Sequence, residues 1–215
     1  MRSVIILFSL AMLLALWFGP LAVSSRYSFA AHMTIHIGVV AFASAGLALG
    51  IAGTRFDPSR RFAAAFSPLI ASFVDLAIIW IWHLPSLHEW TRSSTAGFVL
   101  EQLCFLFGGM WLWLSAFGGQ RKSEQSRNRR ASGVAGLLLT SMHMTLLGAL
   151  LALTPRALFP SELVCTGEAW ALDDQQLGGT IMLLGGGIAY LAGGLGLTAC
   201  LLREKQHPTE TSLYS

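Results

Sequence analysis

A chain of 215 residues that is 54% hydrophobic and only 12% charged carries about half the roughly 25% charge of a soluble domain. That composition, with 22 glycines and seven tryptophans, excludes a sizeable soluble domain. The net charge of +3 is no signature of nucleic-acid binding, because the basic residues are distributed by topology.

A membrane-spanning helix needs about 20 mostly apolar residues, and six stretches qualify, near 4–23, 30–53, 62–82, 96–117, 133–153 and 177–202. Helices keep their backbone hydrogen bonds within the segment, as lipid requires. The expectation is therefore an all-α integral membrane protein, one bundle of six transmembrane helices over 1–215, with 203–215 a polar tail. Lysines and arginines fix the orientation. Eleven lie at the start, in the second and fourth connections and in the tail, against three (Arg26, Arg92, Arg156) in the other connections. By the positive-inside rule both termini are cytoplasmic, and 24–29, 83–95 and 154–176 face outward.

The first stretch, with Arg2, an apolar core and "LAVSS", also has the layout of a secretory signal; its length favours a retained helix. The second opens on "AHMTIHIGVV", where His32 and His36 stand four apart and share a helix face, with Met33 able to flank them. The pair admits two readings, a ligand pair or ordinary histidines at a membrane interface. The third stretch contains Asp75 and ends in "IWIWHLP", where His83 either joins a site or caps an interface with Trp80 and Trp82. His88 and Glu89 follow in the outer connection and are expected to face solvent. The fourth stretch carries Glu101, with Cys104 one turn on. A carboxylate near the bilayer centre costs about 2.5–3.5 kcal/mol even on the lenient insertion scale, so Asp75 and Glu101 must pair, protonate or bind a cation.

The connection "GGQRKSEQSRNRRASG" reads as a solvated, mobile loop, and its simplest role is a topological anchor. In the fifth stretch, "SMHMTLLG" puts His143 near mid-membrane, a functional candidate by default, although a neutral imidazole can also bond a neighbouring helix. Successive helical residues diverge by about 100°, so Met142, His143 and Met144 cannot all face one ion. The outer connection 154–176 carries Glu162, Glu168, Asp173 and Asp174 and is the expected place for a short surface helix. Asp174 and Gln175 stand at the mouth of the sixth stretch, with Met182 two turns in. Gly185, Ala189 and Gly193 recur every four positions there, which is packing chemistry. Of the cysteines, Cys104 and Cys200 read as small apolar residues, and Cys165 falls in a loop. His207 lies in the tail and carries no assigned role.

All the intramembrane polar candidates thus fall in the outer half. Imidazoles and thioethers without a cysteine pair favour copper over structural zinc.

"HMTIH", "WHLP", "LEQLCFL", "MHMTLLGALL" and above all "DDQQLGGTIM" resemble, in order, the multi-span CtaG family of caa(3)-type cytochrome c oxidase assembly factors, over about residues 32–182. The resemblance implies a multi-pass protein of the bacterial plasma membrane, not an enzyme, that serves the assembly of haem–copper oxidase by handling copper. Its implied partners are the oxidase subunits, the lipid bilayer and copper chaperones of the periplasmic or extracellular side. By motif position the family's polar residues fall on His32, His36, His83, Glu101, His143, Asp174 and Gln175. Two positions depart from the pattern: Gln102 follows Glu101 where a histidine is common, and Leu183 replaces an aromatic residue.

Together these readings give a copper hypothesis. His32 and His36, with Met33, capture the ion; His143 with Met142 or Met144 forms a deeper stage; Glu101 and Asp174 balance charge or accept the ligands' protons. His83, Asp75 and Gln175 are supporting polar groups, and no haem is expected. The rival readings are an assembly scaffold without metal and a membrane b-type haem protein. The second would need His143 to pair with His36 or His83, since HxxxH on one helix cannot supply both axial ligands of one haem.

Overall fold

The computed structural model describes residues 1–118, 124–159 and 167–206, and among these the regular structure is entirely helical. Helix α1 (Arg2–Phe18) is followed by the short α2 (Pro20–Ser24). Helix α3 (Phe29–Ile37) continues through a π-helical turn, Gly38–Ala43, into α4 (Ser44–Ile51). Then come α5 (Pro68–Trp82), α6 (Pro85–Ser93), α7 (Thr95–Phe117) and α8 (Glu124–Leu153). Helix α9 (Gly167–Ile181) passes through a second π-helical turn, Met182–Gly186, into α10 (Gly187–Gln206). Five of these continuous runs are long and apolar enough to cross a membrane, and six are if the bent pair α5–α6 is one span. The chain is an all-α multi-pass membrane protein.

Three sequence expectations change. The stretch 62–82 is helical only from Pro68 and gives a helix of 15 residues, short for a span on its own. Its continuation, α6, is bent from it by 72°. The cause is local: Leu84 precedes Pro85 and is extended (φ −66°, ψ 133°), as a residue before proline tends to be. Trp82 and Trp90 then stack across the bend with ring centroids 6.1 Å apart. So 83–95, expected as a plain connection, contains the short helix that was looked for in 154–176. In that later connection residues 160–166, including Glu162 and Cys165, lie outside the described part, and α9 already begins at Gly167. The basic connection expected to be a mobile loop is helical from Glu124 onward; residues 119–123 are outside the described part.

Packing sets the register of the bundle. Helices α3 and α7 run parallel: His32 meets Glu101, His36 meets Phe105, and a Cβ built on Gly109 would stand 2.6 Å from the Val40 carbonyl oxygen. That carbonyl, in the π-helical turn, also accepts bonds from Trp113 Nε1 (3.3 Å) and the Tyr190 hydroxyl (3.2 Å). It thereby ties the second span to α7 and α10. A π-turn inside an α-helix often marks a functional site, and this one begins two residues after His36. Helices α8 and α9 touch backbone to backbone: a Cβ on Gly148 would lie 2.8 Å from the Gly179 carbonyl oxygen, and the reverse substitution would give the same distance. On the other side of the motif, Gly178 lies against the Phe29 ring and Met33. The "LGG" of the most distinctive motif therefore wedges α9 between α3 and α8. In α10, Gly193 lies against Trp113 and Gly185 against Ile37, in keeping with a packing role for the small-residue face.

Candidate metal centre

One end of the bundle gathers histidines, the other arginines. At the histidine end, four imidazoles come from three elements: His32 and His36 from α3, His83 from the end of α5, and His88 from α6. All are buried. His32 Nε2 lies 3.1 Å from Glu101 Oε1, and the His32 and His88 ring centroids are 4.7 Å apart. The ligand atoms offered by His32, His88 and Glu101 all lie within 4.8 Å of one another. A turn further in, the His36 and His83 rings meet edge-on at 5.3 Å. His83 bonds the Ile79 carbonyl through Nδ1 at 2.7 Å and turns Nε2 toward Met33 Sδ at 3.3 Å. A carbonyl on Nδ1 fixes the tautomer and leaves the Nε2 lone pair free, the usual outer support of a histidine that ligates metal. Neither ring nitrogen of His36 has a hydrogen-bond partner among the described residues, and the same holds for His88 Nε2.

His88 is the residue that sequence reasoning placed wrongly. It is 1% exposed, because the bend at Pro85 folds α6 back over the bundle end, where His88 packs at a steep angle against the stacked Phe29 and Phe159 rings, 5.2 and 4.6 Å from their centroids. Its neighbour Glu89 does face solvent, at 49% exposure. The signal that could have found His88 is the pattern of α6 itself: Leu87, His88 and Thr91 fall on one face, and His88 and Thr91 are buried there.

Glu101 is held from both sides. Gln102 Nε2 donates to Glu101 Oε2 at 3.3 Å, and Gln102 Oε1 accepts from Trp17 Nε1 at 3.2 Å. Gln102 thus links α1 to the carboxylate. Asp174, expected to balance charge in the site, caps a helix instead. It accepts from the Ser28 hydroxyl (2.7 Å) and from the backbone N–H groups of Phe29 (2.5 Å) and Ala30 (3.3 Å) at the start of α3. Gln175 accepts from Leu158 N at 2.6 Å and donates to the Leu151 and Arg156 carbonyls, fastening the segment after α8. Both are positioning residues. Asp174→Ala removes a charge-assisted cap, a class of bond worth about 1.5–3 kcal/mol. It should lower the thermal midpoint of the purified protein and fray the turn that carries His32.

His143 is not part of this cluster. Helices α5 and α8 run parallel with their partners 68 positions apart: a Cβ on Gly136 would lie 2.7 Å from the Pro68 carbonyl oxygen, and Ser72 and Thr140 share a hydrogen bond of 2.8 Å. One turn further along, the same register sets Asp75 and His143 at one level of α5 and α8, with Asp75 Oδ1 turned toward Gly108 of α7. Both are buried, and neither has a hydrogen-bond partner among the described residues. The methionines beside His143 do not complete a site with it. Met142 is 61% exposed on the outer surface of the bundle, and Met144 packs against Gly186. Adjacent residues diverge too far to share its face. Cys104 is a half-buried free thiol and Cys200 an exposed one.

The sequence matches the family described as Cytochrome c oxidase caa3 assembly factor (Caa3_CtaG) over residues 1–204. The chain belongs to this family. No curated protein and no solved structure gives a significant match. As a member of the assembly-factor family, the chain has cytochrome c oxidase as its partner. The match also takes in Arg2–Phe18, which lies before the first motif of the sequence resemblance and whose Trp17 bonds Gln102.

Proposed function

We propose that this assembly factor holds copper as cargo for the oxidase, at the histidine end of the bundle, within the bacterial plasma membrane and without itself catalysing a reaction. The observation that carries this reading is the buried trio His32, His88 and Glu101, with ligand atoms within 4.8 Å, adjoined by His36, His83 and Met33. Buried imidazoles without hydrogen-bond partners are costly unless something engages them. Imidazole with thioether is a donor set that suits copper, the thioether favouring Cu(I). The charge bias of the loops turns this end outward, so copper chaperones of that side could load it. The haem–copper centre that would receive the metal also lies within the membrane.

In this scheme His32 and Glu101 hold each other until the ion arrives, with His32 Nε2 3.1 Å from Glu101 Oε1. Binding takes the imidazole lone pair, so that contact opens and Glu101 turns from hydrogen-bond partner to ligand or counter-charge. His83 and Met33 offer the next donors inward. The test is metal analysis of protein purified from copper-supplemented cells, with the copper content of the oxidase measured alongside. Wild type should retain copper, and His32→Ala/His36→Ala should lose it and leave the oxidase under-loaded at unchanged abundance of this protein. A fully loaded oxidase in the double variant would favour a scaffold role and sink the copper reading.

A further inference from the structure

At the arginine end the chain leaves α4 at Ile51, turns through Gly53 (φ +73°) and builds a compact loop around Asp57. The Asp57 carboxylate accepts from Gly53 N at 2.7 Å and from Ser59 N at 2.9 Å, and residues Pro58–Arg60 form one 3-10 turn. Beside this loop is a cavity of about 810 Å³ lined by residues 54–63 and by Arg129 of α8. Four arginines face it against one carboxylate: Arg55, Arg60, Arg61 and Arg129 against Asp57.

The guanidiniums are placed, not merely collected. Arg129 reaches across from α8 with Nη1 on the Ser59 carbonyl and Nη2 on the Phe66 carbonyl, each at 3.4 Å, while its buried Nε has no hydrogen-bond partner among the described residues. Arg60 Nη1 is steadied by the Gly53 and Thr54 carbonyls at 3.3 and 3.4 Å. Arg55 lies over the Phe56 ring, 4.7 Å from its centroid. Guanidinium forks of this kind recognise phosphate oxygens.

The rim is apolar. Phe56 and Phe62 line the cavity and are 70% and 60% exposed, and on the adjoining α5 Ile70 and Phe73 also point outward at 53% and 59%. An anion site bordered by exposed phenyl rings, at the edge of a membrane-spanning helix, fits a ligand with a phosphate head and a hydrocarbon body. Basic cavities between membrane helices on the cytoplasmic side bind phospholipid headgroups. We infer that this cavity binds the headgroup of an anionic phospholipid, with Arg55, Arg60, Arg61 and Arg129 on the phosphate and Phe56 and Phe62 against its glycerol and upper acyl region. The site is independent of the copper reading and of the histidine end.

Native mass spectrometry of the full chain in neutral detergent tests it, with phosphatidylglycerol and phosphatidylcholine of identical acyl chains as probes. Phosphatidylglycerol should bind at least about five-fold more tightly. Arg55→Gln/Arg61→Gln, which leaves the backbone bonds of Arg60 and Arg129 intact, should abolish that preference. Arg203→Gln/Lys205→Gln removes the same charge elsewhere at this end and should preserve it. Equal loss in both double variants would reduce the effect to diffuse charge and overturn the site. Absence of any preference in the wild type would overturn it too. Displacement of the lipid by millimolar inorganic phosphate would make the ligand a soluble anion and overturn the lipid assignment. Should Arg55→Gln/Arg61→Gln fail to fold, Arg61→Gln alone is expected to weaken phosphatidylglycerol binding without changing that of phosphatidylcholine. An unchanged ratio in that variant would also count against the site.

Discussion

On the proposed copper reading, His88→Leu is expected to cost the purified protein most of its bound copper while leaving its abundance and helicity unchanged. Leucine suits the site, because His88 packs against the stacked rings of Phe29 and Phe159 with 1% exposure, and an apolar side chain of similar size keeps that packing. What disappears is one of the three donors within 4.8 Å. Changes to outer-shell partners alone typically cost about 10–100-fold in metal affinity, so loss of a direct donor should exceed about 100-fold. Titration against a chelator of known copper affinity measures this, and Glu89→Gln, one residue away and 49% exposed, should leave the affinity unchanged. If His88→Leu retains copper as the wild type does, α6 is a lid without ligands and the centre must be rebuilt on His36, His83 and Met33. The experiment therefore separates two parts of the proposed site, not merely site from no site.

The contrast between His88 and His32 shows what the sequence could reveal. Long apolar stretches disclose spans because lipid leaves a chain few alternatives, and a histidine or glutamate within such a stretch acquires a depth at once. His32, His36 and Glu101 were legible in this way. Helix α6 has no apolar stretch. Its burial follows from a 72° bend and a tryptophan stack, which are tertiary events, so its histidine looked like a surface residue. Helix rotation was equally hidden. The 100° divergence of neighbours showed that Met142, His143 and Met144 could not share an ion, but not which would turn to the surface. That choice is tied to the contact of Gly148 with Gly179 and the Ser72–Thr140 bond, both between segments far apart in sequence. Asp174 misled for a different reason. A carboxylate near a candidate site invites an electrostatic role, whereas the bare N–H groups that begin α3 claim it first, as an anion at a helix N-terminus is claimed generally.

The shared level of Asp75 and His143 on α5 and α8 yields the second large effect. Neither residue has a hydrogen-bond partner among the described residues, and each lies on a membrane helix where such a group is expensive. Replacing a buried polar or ionic pair with apolar residues of similar volume is often neutral or stabilising by about 1–4 kcal/mol. Asp75→Leu/His143→Leu should therefore raise the stability of the purified protein within that range, read from reversible unfolding in mixed micelles. The single variants should each show part of that gain, because each removes one buried, unpartnered group and leaves the other in the apolar layer. Gly108 of α7 also faces Asp75, and a Cβ there would come within 3.1 Å of Oδ1, so leucine at 75 changes contacts to α7 as well as any to α8. That is why the double replacement has to be read as a cycle. An interaction energy of about 0.5–3 kcal/mol marks residues that share a site. Additivity within about 0.5 kcal/mol would place the two side chains in separate layers, and the register of α5 and α8 deduced from Pro68–Gly136 and Ser72–Thr140 would then fail one turn further along. A positive coupling with a stability gain would mean that the chain keeps a polar layer between these helices against its own stability. Oxidase activity in cells carrying the double variant then reads what that layer contributes to assembly.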